Sequence, residues 1–305
     1  MRIGLSTNLI SRGLLKDTKI FQEAAGPEHE YILFQDFEKS DIRVDLMVYF
    51  ETINTKILAN APFKYLVPNM EFMNEEQLDV VRGTCIDKVL CKTSDAYSLL
   101  SENVGKDKTV YVGFCSADMY EPKVKKKNVF LHVAGKSQHR NTQAVLDAWR
   151  EHKINYPLIV ISQYFKEDIP NVTFMKDVKE EDLIHLMNEC KYHILPSEYE
   201  GFGHALHEAQ LVGAQILCKE MEERNGQFLV PGVSGKRQGQ TTLQLVSSND
   251  LAQMVEIMIK HPMPSLRKKC LKEGKEFKER LCALLSSVTS ANTQPRPKSV
   301  TPCNI

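Results

Sequence analysis

The segment Pro196-Ser197-Glu198-Tyr199-Glu200-Gly201-Phe202-Gly203-His204-Ala205-Leu206-His207-Glu208-Ala209 indicates a loop followed by a helix. The apolar run Tyr192-His193-Ile194-Leu195 predicts a strand before it, and the apolar residues after Gly203 recur at helical spacing. The loop holds two acids, and its two glycines let the backbone approach a ligand closely. The helix begins with N–H groups that favour anions. Carboxylates beside such a helix end suit a ligand with both hydroxyl and phosphate groups.

The same segment has a plainer interpretation as a glycine-containing turn. The helix dipole favours acidic residues near a helix N-terminus whether or not a ligand binds there. The two glutamates could also form an acid pair for proton transfer. These alternatives stay open on the residues of this segment alone.

The N-terminal half alternates strands with helices, which indicates a parallel sheet covered by helices. We predict strands at 2–6, 31–34, 46–50, 64–67, 88–91 and 109–112, and helices that include 18–25 and 93–103. Two loops follow strands at the carboxyl edge, where ligands bind in such sheets. The first holds Arg12 and Gly13, and the second holds Asn69 and Glu71. A plain turn at Gly13 and a helix-capping role for Glu71 are the local alternatives.

A second alternation of strands and helices follows the stretch 121–128, which holds a proline and four lysines and predicts a linker between domains. The strand 129–134 precedes Gly135-Lys136-Ser137, which is similar to the end of a P-loop. That motif needs a glycine five residues before Gly135, and residue 130 is phenylalanine, so the P-loop pattern is not met. Lys136 and Arg140 still supply the positive charge that a diphosphate needs.

Composition sets limits on the class of protein. The 305 residues allow about two domains. The formal net charge of zero argues against a nucleic-acid partner held by bulk charge. No run approaches the roughly 20 apolar residues of a membrane span, and the first eight residues indicate a strand rather than a signal peptide. We therefore expect a cytoplasmic protein without a transmembrane segment, and peripheral membrane contact stays open.

The residues do not indicate a metal site. The eight cysteines form no C-x-x-C pair and no zinc spacing. His204, His207 and Glu208 have the spacing of ligands on one helical face, but they do not form His-Glu-x-x-His. The chain also contains no Asp-x-Asp. We expect a reaction without a metal ion and without a cofactor.

The chain resembles the retaining glycosyltransferases of the GT-B fold, especially family four, the glycosyl transferases group 1. The signature Ser-x-x-Glu-Gly-Phe-Gly followed by a second glutamate is matched by Ser197, Glu200, Gly201, Phe202, Gly203 and Glu208. The resemblance implies an α/β fold of two Rossmann-like domains whose parallel sheets face each other across a cleft. It implies an acceptor domain over 1–122, a donor domain over 123–264, a helix at 265–285 that returns to the first domain, and a tail at 286–305. The tail is rich in Ser, Thr, Asn and Pro, which predicts disorder.

The resemblance also implies roles for the residues of the donor domain. Glu208 would bind the ribose hydroxyls, and Glu200 with the backbone after it would bind the donor sugar. The loop 175–178 would read the base through backbone groups. The full set implied for the donor is Gly135, Lys136, Arg140, Asp177, Val178, Glu200, Gly201, Phe202, Gly203, His204 and Glu208.

In the first domain the sequence departs from the family pattern. Arg12 and Gly13 would form a donor-phosphate or acceptor loop, although the usual paired glycines are absent. Many members carry a histidine near the position of Asn69 and Glu71, and this chain has none there; these two residues would orient substrate.

The expected function is the retaining transfer of a sugar from a nucleotide-diphosphate sugar to a hydroxyl of a glycan, glycolipid or glycoprotein. Three alternatives stay open. They are a catalytically silent nucleotide-sugar-binding subunit of a glycosylation complex, a P-loop-like nucleotidase, and a glycogen-phosphorylase-like enzyme.

Overall fold

Two six-stranded parallel sheets, each covered by helices, form the chain. The structure is a computed structural model that describes residues 1–70, 73–136, 138–197, 202–219, 241–243, 248–262 and 264–292. The first unit contains Met1–Cys115 and the residues from Glu273 onward, and the second contains Ser116–Lys272. The prediction of two Rossmann-like α/β domains is confirmed.

The first unit has a sheet of strand order β2-β1-β3-β4-β5-β6 in which all neighbours are parallel. β3 lies near its centre and is buried along its whole length. The strands are β1 (Arg2–Thr7), β2 (Glu30–Gln35), β3 (Leu46–Phe50), β4 (Phe63–Val67), β5 (Lys88–Cys91) and β6 (Thr109–Tyr111), and the helices are α1 (Arg12–Ala25), α2 (Glu75–Arg82) and α3 (Ser94–Asn103).

Polar side chains determine where the helices of this unit begin. The hydroxyl of Ser11 accepts a hydrogen bond from the Leu14 N–H, so α1 begins at Arg12, six residues before the predicted start. Arg12 and Gly13 are therefore the first two residues of a helix, and the prediction that they form a loop is wrong. Asn74 caps α2 in the same way, its side chain accepting a hydrogen bond from the Gln77 N–H.

The second unit has a sheet of strand order β12-β11-β10-β7-β8-β9. In its core the ring of Phe130 stacks on Tyr192 at 4.6 Å and meets Trp149 edge-on at 5.4 Å. The strands are β7 (Lys127–Gly135), β8 (Leu158–Ser162), β9 (Val172–Met175), β10 (Cys190–Leu195), β11 (Gln215–Lys219) and β12 (Thr241–Leu243). The helices are α4 (Thr142–His152), α5 (Glu180–Glu189), α6 (His204–Leu211), α7 (Ser248–Lys260) and α8 (Arg267–Asn292), whose residues from Glu273 onward belong to the first unit.

Asn188 attaches the segment before β7 to the second unit. Its side-chain oxygen accepts from the Glu121 N–H at 2.9 Å, and its amide donates to the carbonyls of Met119 at 2.7 Å and Ile184 at 2.9 Å. The Asn188 carbonyl accepts from the Lys126 ammonium at 3.0 Å, and burial lowers the pKa of that lysine to about 8. The segment is thus held by partly buried hydrogen bonds.

Helix α8 continues further than its sequence predicted. Its apolar stripe includes Phe277, Leu281, Leu285 and Val288, all buried at helical spacing. Residues 286–292 are therefore helical, which corrects the prediction of a disordered tail over those residues; 293–305 lie outside the described residues. Although α8 is 26 residues long, neither it nor another described helix has the length and apolar content to cross a bilayer.

Replacing Asn188 with alanine should lower the free energy of unfolding by about 2–3 kcal/mol, because the Met119 carbonyl and the Glu121 N–H would lose their partner in a partly buried position. Urea unfolding followed by circular dichroism measures the change. Asn103→Ala is the matched control, since the Asn103 side chain is exposed and donates only to a helix carbonyl. Equal losses in the two variants would contradict the role given to Asn188.

Candidate functional site

Two loops of the second unit are joined at the carboxyl edge of its sheet. They follow β7 and β10, which are neighbouring strands. Arg140 Nη1 donates to the Ser197 hydroxyl at 2.8 Å, and the Asn141 side-chain amide donates to the Pro196 carbonyl at 2.7 Å. The basic loop and the start of the glycine-containing motif are therefore in contact, although they are far apart in the sequence.

Arg140 is a partly buried cation. Burial lowers the pKa of its guanidinium below the ordinary value, but arginine keeps its charge at neutral pH. Lys136, on the same loop, is exposed and has no hydrogen bond or ion pair with the described residues. A charge that is shielded from water interacts more strongly with an incoming anion than an exposed one.

The backbone at the start of this loop is open. Gly135 ends β7 with φ +58°, and a Cβ built at this position would meet no atom within 4 Å. The left-handed conformation favours glycine, and the empty space beside it admits a ligand.

Two helices begin at this edge without a capping side chain. Helix α4 follows Asn141, and α6 follows Gly203, which has φ +78°; among the described residues, neither N-cap forms a side-chain hydrogen bond that caps its own helix. The first N–H groups of a helix need acceptors, and the helix dipole makes this end positive. Both helix starts are therefore suited to bind an anion.

His132 holds the framework of the site together. It is fully buried on β7, with Nδ1 2.9 Å from the Ile194 carbonyl and Nε2 2.9 Å from the Thr142 hydroxyl. Because a carbonyl only accepts, Nδ1 carries the proton and Nε2 accepts from Thr142. Burial lowers the pKa of His132 to about 4, so the ring is neutral at physiological pH. The histidine links β7, β10 and the first residue of α4.

Helix α6 carries a buried acid and two paired histidines. Glu208 is only 8% exposed. The Ser116 N–H donates to His207 Nδ1 at 3.0 Å, and the Ser116 hydroxyl lies 2.8 Å from His204 Nδ1. Burial and His204 lower the pKa of His207 to about 4. Both Nδ1 atoms are thus engaged, which argues against these atoms as metal ligands despite the sequence spacing.

The remaining predicted donor residues are partly described. The Phe202 ring lies against His204 at 5.3 Å and His207 at 5.2 Å. Asp177 is exposed with φ +51°, and Val178 packs against the core under α5 and α6. Glu71, Glu200 and Gly201 lie outside the described residues, so their predicted roles stay predictions.

In the first unit, Asn69 belongs to a chain of polar contacts at the carboxyl edge of the sheet. Its side-chain oxygen accepts from Lys92 Nζ at 2.6 Å, and its amide donates to Glu51 at 2.7 Å. Lys92 also pairs with Asp17 at 2.6 Å. Sequence reasoning missed Glu51, Lys92 and Asp17, although Glu51 and Lys92 each follow directly after a strand, which is where site residues lie in parallel sheets.

The fold is that of the GT-B glycosyltransferases. The structure of HepE from Anabaena with UDP and glucose matches with a TM-score of 0.59, 14% identity, and 96% of this chain covered against 98% of that chain. A sucrose-phosphate synthase from Thermosynechococcus elongatus matches with a TM-score of 0.60 at 13% identity, over 96% of this chain and 97% of that one. A glycosyltransferase from Rickettsia africae matches with a TM-score of 0.65 at 11% identity, over 96% of this chain and 99% of that one. At these identities the similarity shows the fold.

The family follows from the sequence of the second unit and the start of α8. Residues 118–277, more than half of the chain, match the family Glycosyl transferases group 1. The protein belongs to this family and is a glycosyltransferase in class. No curated protein matches the chain in sequence.

The variant His132→Asn should weaken the pH dependence of stability. In the wild type, the unfolded histidine takes up a proton near pH 6.5, whereas the folded one resists until about pH 4, so the free energy of unfolding falls as pH drops through this window. Asparagine can keep the donor to the Ile194 carbonyl but cannot titrate. The stability gap between wild type and variant should therefore narrow by about 2 kcal/mol between pH 7 and pH 5.

Urea unfolding at the two pH values measures this gap. His152→Asn, at the exposed end of α4, is the control for the replacement of a histidine by asparagine. Parallel curves for wild type and His132→Asn would show that His132 is not a buried neutral group.

Proposed function

We propose that this protein transfers a sugar from a nucleotide-diphosphate sugar to a hydroxyl acceptor, with retention of anomeric configuration and without a metal ion. The observation that carries the proposal is the contact from Arg140 to Ser197, which joins the basic loop to the family motif beside two uncapped helix starts. The presence of UDP and glucose in the HepE structure supports a UDP-sugar as the donor.

The positive groups of this edge are suited to the leaving diphosphate. Arg140 offers a planar fork of donors for phosphate oxygens, and Lys136 adds a mobile point charge. The starts of α4 and α6 add backbone N–H donors. Preorganised donors of this kind stabilise the negative charge that develops as the bond from the sugar to the diphosphate breaks. With this charge supplied by the chain, the reaction needs no metal ion.

Glu208 is proposed to bind the ribose. Glu208 matches the second glutamate of the family motif, and an ionised carboxylate can accept hydrogen bonds from both ribose hydroxyls. The backbone at Asp177 and Val178 reads the base. Glu200 and Gly201, which match the motif in sequence, hold the hydroxyls of the transferred sugar.

Incubation with a panel of UDP- and GDP-sugars in buffer with a chelator tests the proposal. We expect UDP release, either to water or to an added acceptor, and retention seen by NMR of the anomeric proton in the product. UDP binding without release from a nucleotide sugar would favour a catalytically silent binding subunit. Release that needs a divalent cation would contradict the metal-free reaction.

Replacing Arg140 with alanine should lower kcat by about 10²- to 10³-fold, because the leaving group would lose a preorganised cation. The free energy of unfolding should change by only about 1 kcal/mol, the contribution of one hydrogen bond to Ser197. Steady-state UDP release measures kcat. Arg150→Ala on the exposed face of α4 is the control and should be as active as wild type. A wild-type kcat in Arg140→Ala would exclude the leaving-group role.

Replacing Glu208 with glutamine should weaken UDP binding by about 10- to 100-fold, because hydrogen bonds to a charged group are exchanged for weaker ones. Isothermal titration calorimetry with UDP measures the affinity. Glu181→Gln, exposed in the first turn of α5, should leave it unchanged. Unchanged affinity in Glu208→Gln would remove the ribose assignment.

A further inference from the structure

A chain of hydrogen bonds runs across the carboxyl edge of the first sheet. Asp17 Oδ2 on α1 lies 2.6 Å from Lys92 Nζ, which lies 2.6 Å from Asn69 Oδ1. Asn69 Nδ2 then donates to Glu51 Oε2 at 2.7 Å. Lys92, Asn69 and Glu51 follow the strands β5, β4 and β3, which are neighbours in the sheet.

The charge of Lys92 sets the direction of this chain. An ammonium group only donates, so the oxygen of the Asn69 amide must face Lys92. The amide nitrogen is then left to face Glu51. Without the cation, the Asn69 oxygen would lose the donor that fixes it, and among the described residues the amide would be held only by its hydrogen bond to Glu51.

Glu51 is held in one position and keeps acceptor capacity. Its backbone is left-handed at φ +70°, with its N–H donating to the Val67 carbonyl at 2.9 Å and its carbonyl accepting from Gln77 at 3.3 Å. Oε1 of its half-buried carboxylate forms no hydrogen bond with the described residues. The second hydrogen of the Asn69 amide is also unused there. An acceptor and a donor thus lie side by side at the edge where open parallel sheets bind ligands.

Stability alone does not account for the pair of Asp17 and Lys92. Both side chains are 4% exposed, and taking two charges out of water costs several kcal/mol that their attraction does not always offset. Apolar residues of similar volume often pack in such places at equal or better stability. The contact from Lys92 to Asn69 indicates that the pair orients neighbouring polar groups, a role that apolar residues of similar volume could not perform.

We propose that Lys92 is a positioning residue, which orients Asn69 so that Glu51 and Asn69 together bind neighbouring hydroxyls of a carbohydrate acceptor. The carboxylate accepts a hydrogen bond from one hydroxyl, and the amide donates to the oxygen of the next. This inference rests on the proposed function for the identity of the acceptor, and it assigns the acceptor's hydroxyls to residues of the first unit.

The test separates positioning from folding by the choice of variants. Lys92→Met alone removes the cation beside the buried Asp17 carboxylate and should destabilise the fold. The double variant Asp17→Leu with Lys92→Met removes both charges, so it should fold with a thermal midpoint near that of wild type and still lose the donor that fixes the Asn69 oxygen. Lys92→Arg keeps the cation and should retain carbohydrate binding.

Saturation-transfer difference NMR on the full chain, saturated with UDP, measures binding of methyl glycosides of glucose, galactose, mannose and N-acetylglucosamine. We expect wild type to bind at least one of them, and the double variant and Glu51→Gln to bind it about tenfold or more weakly. Glu38→Gln, an exposed acid of the same unit, is the matched control and should bind as wild type does.

Two outcomes would overturn the inference. One is the absence of saturation transfer to every glycoside with wild type, and the other is a folded double variant that binds as wild type does. Calorimetry with UDP on the same samples distinguishes the causes. Wild type that binds UDP but no glycoside refutes only the role given to Lys92 and Glu51. Wild type that does not bind UDP refutes the donor site of the proposed function.

Discussion

The hydrogen bond from Arg140 to the Ser197 hydroxyl is the interaction on which the donor-side site depends. Parallel strands direct all their carboxyl ends to one edge, and β7 and β10 are neighbours, so the loops that follow them must meet. The bond fixes the cation of one loop against the first residue of the motif in the other. The starts of α4 and α6 add to the positive potential of this edge. The side chains of their N-cap residues form no capping hydrogen bond with the first N–H groups of these helices.

The framework behind this edge is polar but neutral. His132 and His207 are buried with their Nδ1 atoms in fixed hydrogen bonds, and burial lowers the pKa of each to about 4. Uncharged rings can therefore join strands and helices without adding positive charges that would compete with Arg140 for an anion. The positive charge of the site is left to the residues of the loops and to the helix ends.

The two carboxyl edges differ in their electrostatics, and the difference matches two kinds of ligand. In the second unit, Arg140 and Lys136 supply positive charge, which suits a diphosphate. In the first unit, the charge of Lys92 is balanced by Asp17 at 2.6 Å, and the other end of the network is a half-buried carboxylate beside an amide. Such a pair suits neutral hydroxyls, because it offers one acceptor and one donor in place of net charge.

Local patterns in the sequence determined most of the secondary structure, the two parallel sheets, and the family, because periodicity and the motif from Ser197 to Glu208 are properties of neighbouring residues. The predicted start of α1 and the predicted end of α8 were wrong. The Ser11 cap decides where α1 begins, and the buried Val288 lies in the part of α8 beyond the predicted end. Only the tertiary structure joined Arg140 to Ser197, His132 to Thr142 and Ile194, and Lys92 to Asp17. Strand order brings these partners together. Because packing over the whole sheet sets the strand order, the spacing of residues along the chain does not predict it.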